Sequence, residues 1–201
     1  MDKPRYGRSR LFLAFIMLGA AALFAGCASV TIESARDPGF TGKISRLFVL
    51  IRDNGQLKSS YTQNLQKALT ERLSARGIAS QVQIASPLEL DESRYSRDIK
   101  TFSPDAVLVI LWTGGTRRFQ EVIEVYWDAS LNVPQTKTRI WRATIHVSGG
   151  SSLSRMTAMT DGILSRLEQD GIIAPAEKAV KKQESAVPPA APGGPEGGDV
   201  K

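Results

Sequence analysis

The sequence has one cysteine and one histidine in 201 residues. Cys27 has no second cysteine, which excludes an internal disulfide, a zinc site built on several thiolates and cysteine-pair redox chemistry. His146 has no second histidine with which to share a metal ion. No P-loop, Rossmann or G-x-S-x-G spacing occurs. These shortages predict a protein that is not an enzyme and holds no metal and no dissociable cofactor.

The amino terminus has the layout of a secretion signal. Residues 1–10 contain four basic side chains and one acidic one, and residues 11–24 contain no charge. The uncharged run is shorter than the roughly 20 residues of a membrane-spanning helix. A cleaved signal peptide over residues 1–26 is therefore favoured over a short membrane anchor with a buried Cys27 thiol.

The signal ends in Leu23-Phe24-Ala25-Gly26-Cys27, with two small residues directly before the cysteine. This ending resembles the lipobox of bacterial lipoproteins. The resemblance implies cleavage before Cys27 and covalent S-diacylglycerol and N-acyl (palmitate) lipid on it. Three acyl chains are enough to anchor a protein stably in a membrane. Ala28 and Ser29 follow, without the acidic residue that retains enteric lipoproteins at the inner membrane. The periplasmic face of the outer membrane is thus implied, with the periplasmic side of the inner membrane as the alternative.

Removal of the leader also changes the charge. It takes away four basic residues and one acidic residue, so the formal charge falls from +6 to about +3. The small remaining charge gives little support for a surface that binds nucleic acid, and secretion of the chain argues against such a partner as well. We expect no nucleic-acid partner.

Composition divides the remaining chain into three segments. Residues 27–43 are polar, with Pro38 and two glycines, and are predicted to form a lipidated tether. Residues 44–173 have the periodic apolar pattern of one α/β domain. Residues 174–201 have no aromatic residue and many prolines and glycines, which predicts a disordered tail.

The domain is predicted to be a single mixed β-sheet with helices packed on it, in the order βαβαββα. The continuous apolar runs at 47–51 and 106–112 are typical of strands covered on both faces, and helical spacing between them favours parallel pairing. Alternating residues over 123–133 and 139–147 predict a hairpin with one solvated face. The predicted helices cover 59–76, a segment that begins at Ser86-Pro87-Leu88-Glu89, and a final buried stripe that includes Leu153.

Several short motifs resemble a group of uncharacterised proteobacterial lipoproteins. They are Arg36-Asp37-Pro38-Gly39-Phe40-Thr41-Gly42 before a strand, a helix ending in Arg76-Gly77-Ile78, and Thr138-Arg139-Ile140-Trp141-Arg142 in a hairpin strand. The order βαβαββα is similar to the TolB amino-terminal domain, the curli-secretion lipoprotein and the lipoprotein activators of penicillin-binding proteins. The resemblance implies a non-enzymatic interaction or assembly module, and it brings no catalytic residues.

Isolated polar residues have structural explanations. His146 is expected on the less buried face of its strand. Glu124 and Asp128 lie on one strand face and have the residue types of a carboxylate pair, but a solvated face needs polar residues in any case. Ser151 follows two glycines at a helix start, where N-capping accounts for it.

One group of residues suggests a binding site. If the strands predicted at 47–51, 106–112 and 139–147 run parallel, their carboxyl ends meet at one edge of the sheet, next to a helix amino terminus. That edge would hold turn residues, two arginines and a serine, which together suit an anion or a partner. The candidate residues are Asp53, Asn54, Arg117, Arg118 and Ser151.

Two functions follow from these observations. The first is a lipid-anchored module that binds an envelope protein or a cell-wall component in the periplasm. The alternative is a binder or hydrolase of a small anionic ligand that uses the edge with Gly114, Gly115, Arg117 and Arg118.

Overall fold

The computed structural model of the chain describes residues 28–53, 55, 57–85, 93–118 and 121–176. The predicted signal peptide, Cys27, Asn54, the predicted start of the second helix at residues 86–89 and the predicted tail from residue 177 lie outside the described residues. Among the described helices, none combines the length and apolarity that crossing a bilayer requires.

The described residues form one mixed sheet of six strands with three helices, which confirms the predicted α/β class. The strand order is β1-β6-β5-β4-β2-β3. Strand β2 pairs parallel with β4, as predicted, and also with β3, and the other neighbours are antiparallel. The strands are β1 (Ser29–Arg36), β2 (Arg46–Arg52), β3 (Ala79–Ala85), β4 (Ala106–Arg118), β5 (Glu121–Val133) and β6 (Thr138–Ser148), and the helices are α1 (Ser59–Ala75), α2 (Ser93–Phe102) and α3 (Ser152–Gln169).

Strand β2 is covered on both faces, which explains its unbroken apolar run. On one face, residues such as Val49 and Ile51 belong to the main core, together with the buried stripes of α1 and α3. On the other face, Phe48 packs under α2, with its ring centroid 6.3 Å from that of Phe102. Helix α2 therefore covers this face over β2, β3 and the start of β4.

The structure corrects the prediction that residues 27–43 are a tether. Ser29–Arg36 form β1, an edge strand paired antiparallel with β6 in eight register positions. Val30 and Ile32 alternate with polar residues and pack against the core beneath α3. The observed order is ββαβαβββα, two strands more than the predicted βαβαββα: the prediction lacks β1 and has two strands where the structure has β4, β5 and β6.

A shared carboxylate fixes β1 at its far end. Asp170 Oδ2 accepts hydrogen bonds from Ser34 Oγ at 2.7 Å and from the buried Trp141 Nε1 at 2.7 Å. The Arg36 guanidinium donates to the Asp170 and Phe40 carbonyls. These contacts tie β1, β6 and the end of α3 together.

A second correction concerns the strand predicted from the apolar run at 106–112, which does not end at Gly114 and Gly115. Strand β4 continues through Arg118 and forms a hairpin with β5. A Cβ on Gly115 would lie only 2.7 Å from the Glu124 carbonyl oxygen. The glycine is needed because the two backbones approach closely beside an irregularity in the pairing.

At the amino-terminal ends of β2 and β4, Asp105 connects the two strands. Its Oδ2 accepts from the backbone N–H groups of Ser45 and Arg46, both at 2.8 Å, and from the Ser45 hydroxyl at 2.9 Å. Burial raises the pKa of Asp105, but these hydrogen bonds and the Arg46 charge outweigh burial and hold the pKa below its ordinary value. The ionised carboxylate therefore joins the start of β2 to the start of β4.

Glycines follow the ends of α1 and α3, and one residue of α3 departs from its predicted burial. Gly77 and Gly171 have φ of +67° and +70° after α1 and α3, where glycine avoids strain. Leu153, expected in the buried stripe of α3, is instead 58% exposed in its first turn.

Candidate functional site

The carboxyl ends of β2, β4 and β6 lie at one edge of the sheet, as predicted, and α1 and α3 both begin there. Between the two helix starts lies a cleft of about 860 Å³. Its lining includes Lys58, Ser60 and Tyr61 from α1, Arg117 from β4, and Gly149, Gly150, Ser151 and Arg155 from the start of α3. This volume is in the range of ligand pockets in proteins.

Arg155 is the charged residue of the cleft lining that is buried, at 6% exposed. Its Nη1 donates to the Gly149 and Gly150 carbonyls at 3.1 and 2.7 Å, and its Nη2 donates to the Tyr61 hydroxyl at 2.6 Å. Its Nε is buried and has no hydrogen-bond partner within the described residues. Among the described residues, no carboxylate forms an ion pair with the Arg155 guanidinium. A buried cation without a counterion is costly, so the site favours an anion.

Both helix starts add positive potential to the cleft. Lys58 is the N-cap of α1 and makes no side-chain capping bond, whereas Ser151 caps α3 by accepting from the Ser154 backbone N–H at 3.2 Å. Neither helix has an acidic residue in its first turn. The first turn of a helix leaves backbone N–H groups unpaired and concentrates positive partial charge, so two such turns beside one cleft attract anions.

Glu124 is the acidic residue in the cleft lining. Its Oε2 accepts from Thr116 Oγ1 at 2.9 Å and from the Tyr126 hydroxyl at 3.1 Å. These partners lie on β4 and β5 and engage the carboxylate. Lys58, Arg117 and Arg155 thus outnumber the acid of the lining by three to one.

The five predicted edge residues have different places. Arg117 and Ser151 line the cleft together. Arg118 is exposed at the end of β4 and is not part of the lining, and Asn54 lies outside the described residues. Asp53 is buried, and its Oδ1 accepts from the Gly55 backbone N–H at 2.9 Å, which makes it a turn residue rather than part of the cleft.

Sequence analysis missed Arg155, Lys58 and Tyr61 at this site. Arg155 lies four residues after Ser151, one helical turn into an otherwise apolar stripe. A basic residue in that position was the available signal. Lys58 and Tyr61 gave no signal of their own. The start of α1 comes beside the start of α3 only because the sheet joins β2 to β4, β4 to β5 and β5 to β6.

A second surface lies on the half of the sheet away from α2. Two adjoining troughs of about 610 and 440 Å³ are lined entirely by strand residues of β1, β4, β5 and β6. Tyr126 is 40% exposed there and stacks on His146, with ring centroids 4.8 Å apart and planes 9° apart. The expected placement of His146 on the less buried face is confirmed.

The polar residues of this face are distributed along the sheet. Glu33 and Asp128 line the larger trough with Arg139 and Arg142. Asp128 and Glu124 are separated by Tyr126 on the same strand face, so the suggested carboxylate pair is not brought together at one point. In the part of the chain that the structure describes, no group of three or more His, Cys, Asp or Glu is placed to hold a metal ion.

Comparison with known proteins gives a likeness of fold. No family model matches the chain, and no curated protein matches it. The PelC dodecamer from Paraburkholderia phytofirmans superposes with a TM-score of 0.50 at 18% identity, over 69% of this chain and 97% of that one. A single-substitution variant of the same dodecamer gives 0.50 at 17% identity, over 68% and 97% of the two chains. A protein from Xanthomonas campestris of the DUF330 family gives 0.34 at 10% identity, over 78% and 95%.

Proposed function

We propose that the chain is a lipoprotein anchored in the outer membrane through Cys27, and that its α/β domain is a non-enzymatic interaction or assembly module in the periplasm. The lipobox-like segment that ends at Cys27 supports the anchor. The observation that supports an interaction module is the half of the sheet face that α2 leaves uncovered. An open sheet face with an exposed aromatic residue is a surface of the kind that proteins use for association.

The occupant we propose for this face is a second copy of the chain. Its larger trough carries acidic Glu33 and Asp128 beside basic Arg139 and Arg142, and a surface with both signs can complement a copy of itself. The same fold occurs in a dodecamer, PelC, which supports self-assembly as the mode of association. An envelope protein or a cell-wall component is the alternative occupant.

Site-specific photocrosslinking in cells tests the module. A photoreactive amino acid is placed at Tyr126 on the open face, and a matched one at Lys67 on α1, whose side chain is 76% exposed. We expect adducts at multiples of the chain mass from position 126 and none from position 67. Adducts to another envelope protein would identify the alternative occupant. Equal yields from the two positions, or none from position 126, would contradict the proposal.

Binding of a small anion is the second candidate function, favoured by the cationic cleft between α1 and α3. It does not compete with the first, because the cleft and the open face lie on different parts of the domain.

A further inference from the structure

We propose that the cleft between the starts of α1 and α3 binds the phosphate of an anionic lipid headgroup on the membrane to which the chain is anchored. This inference rests on the proposed lipid on Cys27. It assigns to the domain a second, non-covalent contact with the bilayer, at the end of the sheet where α1 and α3 begin.

The anchor leaves the domain at the rim of this cleft. Ser29, the first residue of β1, pairs with Ser148 at the carboxyl end of β6. A Cβ on Gly150, which lines the cleft, would lie 3.2 Å from the backbone N of Ala28. Cys27 is joined to that nitrogen, and consecutive Cα atoms are about 3.8 Å apart. Lipid on Cys27 therefore brings the cleft to the headgroup layer of the membrane.

The chemistry of the cleft suits a phosphate. Arg155 is buried without an ion-pair partner in the described residues, and its Nε is unpaired. Two helix amino termini present backbone N–H groups to the same space, and Lys58 stands at the start of one of them. Phosphate accepts several hydrogen bonds, and its negative charge would supply the counterion that the Arg155 guanidinium lacks. The volume of about 860 Å³ also admits a headgroup as large as phosphoglycerol.

An exposed apolar side chain gives an independent indication of a membrane at this end. Leu153, the second residue of α3, is 58% exposed in a helix whose other large apolar residues are buried. Large apolar side chains at a membrane surface insert between lipid headgroups and add to binding. Leu153 lies within three residues of both Ser151 and Arg155, so it would enter the bilayer beside a headgroup held in the cleft.

The test uses the processed, lipid-modified chain, purified in nonionic detergent and identified by its intact mass. In one arm the protein in detergent is titrated with inorganic phosphate at constant ionic strength, and its melting temperature is measured. In the other arm it is reconstituted in vesicles of phosphatidylcholine alone or with phosphatidylglycerol, and amide hydrogen exchange is measured. We expect exchange at residues 57–61 and 149–155 to slow at least threefold with phosphatidylglycerol and to stay unchanged with phosphatidylcholine.

Charge-reversal variants link the effect to the cleft. Lys58→Glu at the cleft should remove the protection by phosphatidylglycerol, whereas Lys43→Glu, at an exposed position beside Ile44 at the opposite end, should retain it. Removal of a basic charge near an anionic surface weakens binding about fivefold, and its reversal about thirtyfold. Leu153→Ser should reduce protection in vesicles but leave any melting shift with phosphate unchanged. Arg155→Met removes the buried guanidinium itself. If that variant does not fold, Lys58→Glu and Leu153→Ser still decide the test.

The outcomes separate the ligand sources and the two proposals. Protection by phosphatidylglycerol that Lys58→Glu removes and Lys43→Glu keeps would support the inference. A melting shift with inorganic phosphate and no protection in vesicles would overturn the assignment to a lipid. No effect in either arm, or equal loss in the two charge reversals, would overturn the site itself. An intact mass without lipid would refute the proposed anchor, and the phosphate arm would still test the cleft separately.

Discussion

Trp141 Nε1 donates a 2.7 Å hydrogen bond to Asp170 Oδ2, across the junction between β6 and the end of α3. The same oxygen accepts from Ser34 of β1. Trp141 is buried, so its indole N–H has no access to water that could replace this acceptor. One carboxylate thus closes the junction of three elements.

We expect Asp170→Ala to lower the free energy of unfolding by about 2–3 kcal/mol, since it leaves a buried donor unsatisfied and removes charged hydrogen bonds. Urea denaturation monitored by tryptophan fluorescence measures the change. Asp161→Ala is the matched control, because Asp161 pairs with Arg72 at an exposed site and such pairs contribute at most about 1 kcal/mol. A loss at position 170 no larger than at position 161 would show that the junction is not held this way.

Asp105 predicts a dependence of stability on pH. Its pKa in the folded chain lies below the ordinary value, so its stabilising contribution is present above about pH 4 and is lost as the pH falls through the folded pKa. Asp105→Ala should lower the unfolding free energy at pH 7 by about 1–3 kcal/mol because two backbone N–H groups lose their acceptor. The difference between wild type and variant should shrink in urea titrations as the pH is lowered below 4. A difference that is constant between pH 7 and pH 2 would refute the role of the charge.

Gly115 and Gly114 form a natural matched pair. Gly115→Ala places a methyl group 2.7 Å from the Glu124 carbonyl, so the two strands must move apart. We expect a loss of about 1–3 kcal/mol in unfolding free energy, the usual cost of overpacking. At Gly114 a Cβ meets only the Tyr126 ring at 4.0 Å, so Gly114→Ala should be near neutral. Equal melting temperatures for the two variants would contradict the close approach.

Cys27 predicts the fate of the precursor. Cys27→Ser should leave an uncut chain in the inner membrane, because lipid addition to the thiol precedes cleavage in proteins with this motif. Membrane fractionation and intact-mass analysis would show the retained residues 1–26. A processed chain without lipid, obtained from the unmutated sequence, would count against the lipobox.

Much of the fold could be predicted from periodicity, and the exception is informative. The apolar run of β2 and the alternation of β5 and β6 indicated their burial, because these strands have one or two fully covered faces. Strand β1 was missed, since Val30 and Ile32 are its main apolar residues and the strand binds through its backbone pairing with β6 and through Ser34 and Arg36. Short amphipathic edge strands carry little apolar signal, although the spacing of Val30 and Ile32 already had a period of two.

The candidate site was predicted in its position but only partly in its residues. Parallel strands end at one edge, and this rule located Arg117 and Ser151 correctly. Arg118 lies at the end of β4 but outside the cleft lining, and the Asp53 carboxylate caps its own turn. Arg155 was missed since a helical stripe is interpreted as core, and a buried arginine there becomes visible only when its neighbours Tyr61, Gly149 and Gly150 are known.

The antiparallel pairing of β1 with β6 has a mechanical consequence. The amino-terminal end of β1, at Ser29, pairs with Ser148, whereas its other end contacts Asp170 at the end of α3. A pull between the amino-terminal end of β1 and the end of α3 acts along β1. The hydrogen bonds to β6 are perpendicular to the strand, so all eight register positions are sheared together instead of opening one after another like a zipper. Strand β1 is thus oriented to resist a pull applied at its amino-terminal end.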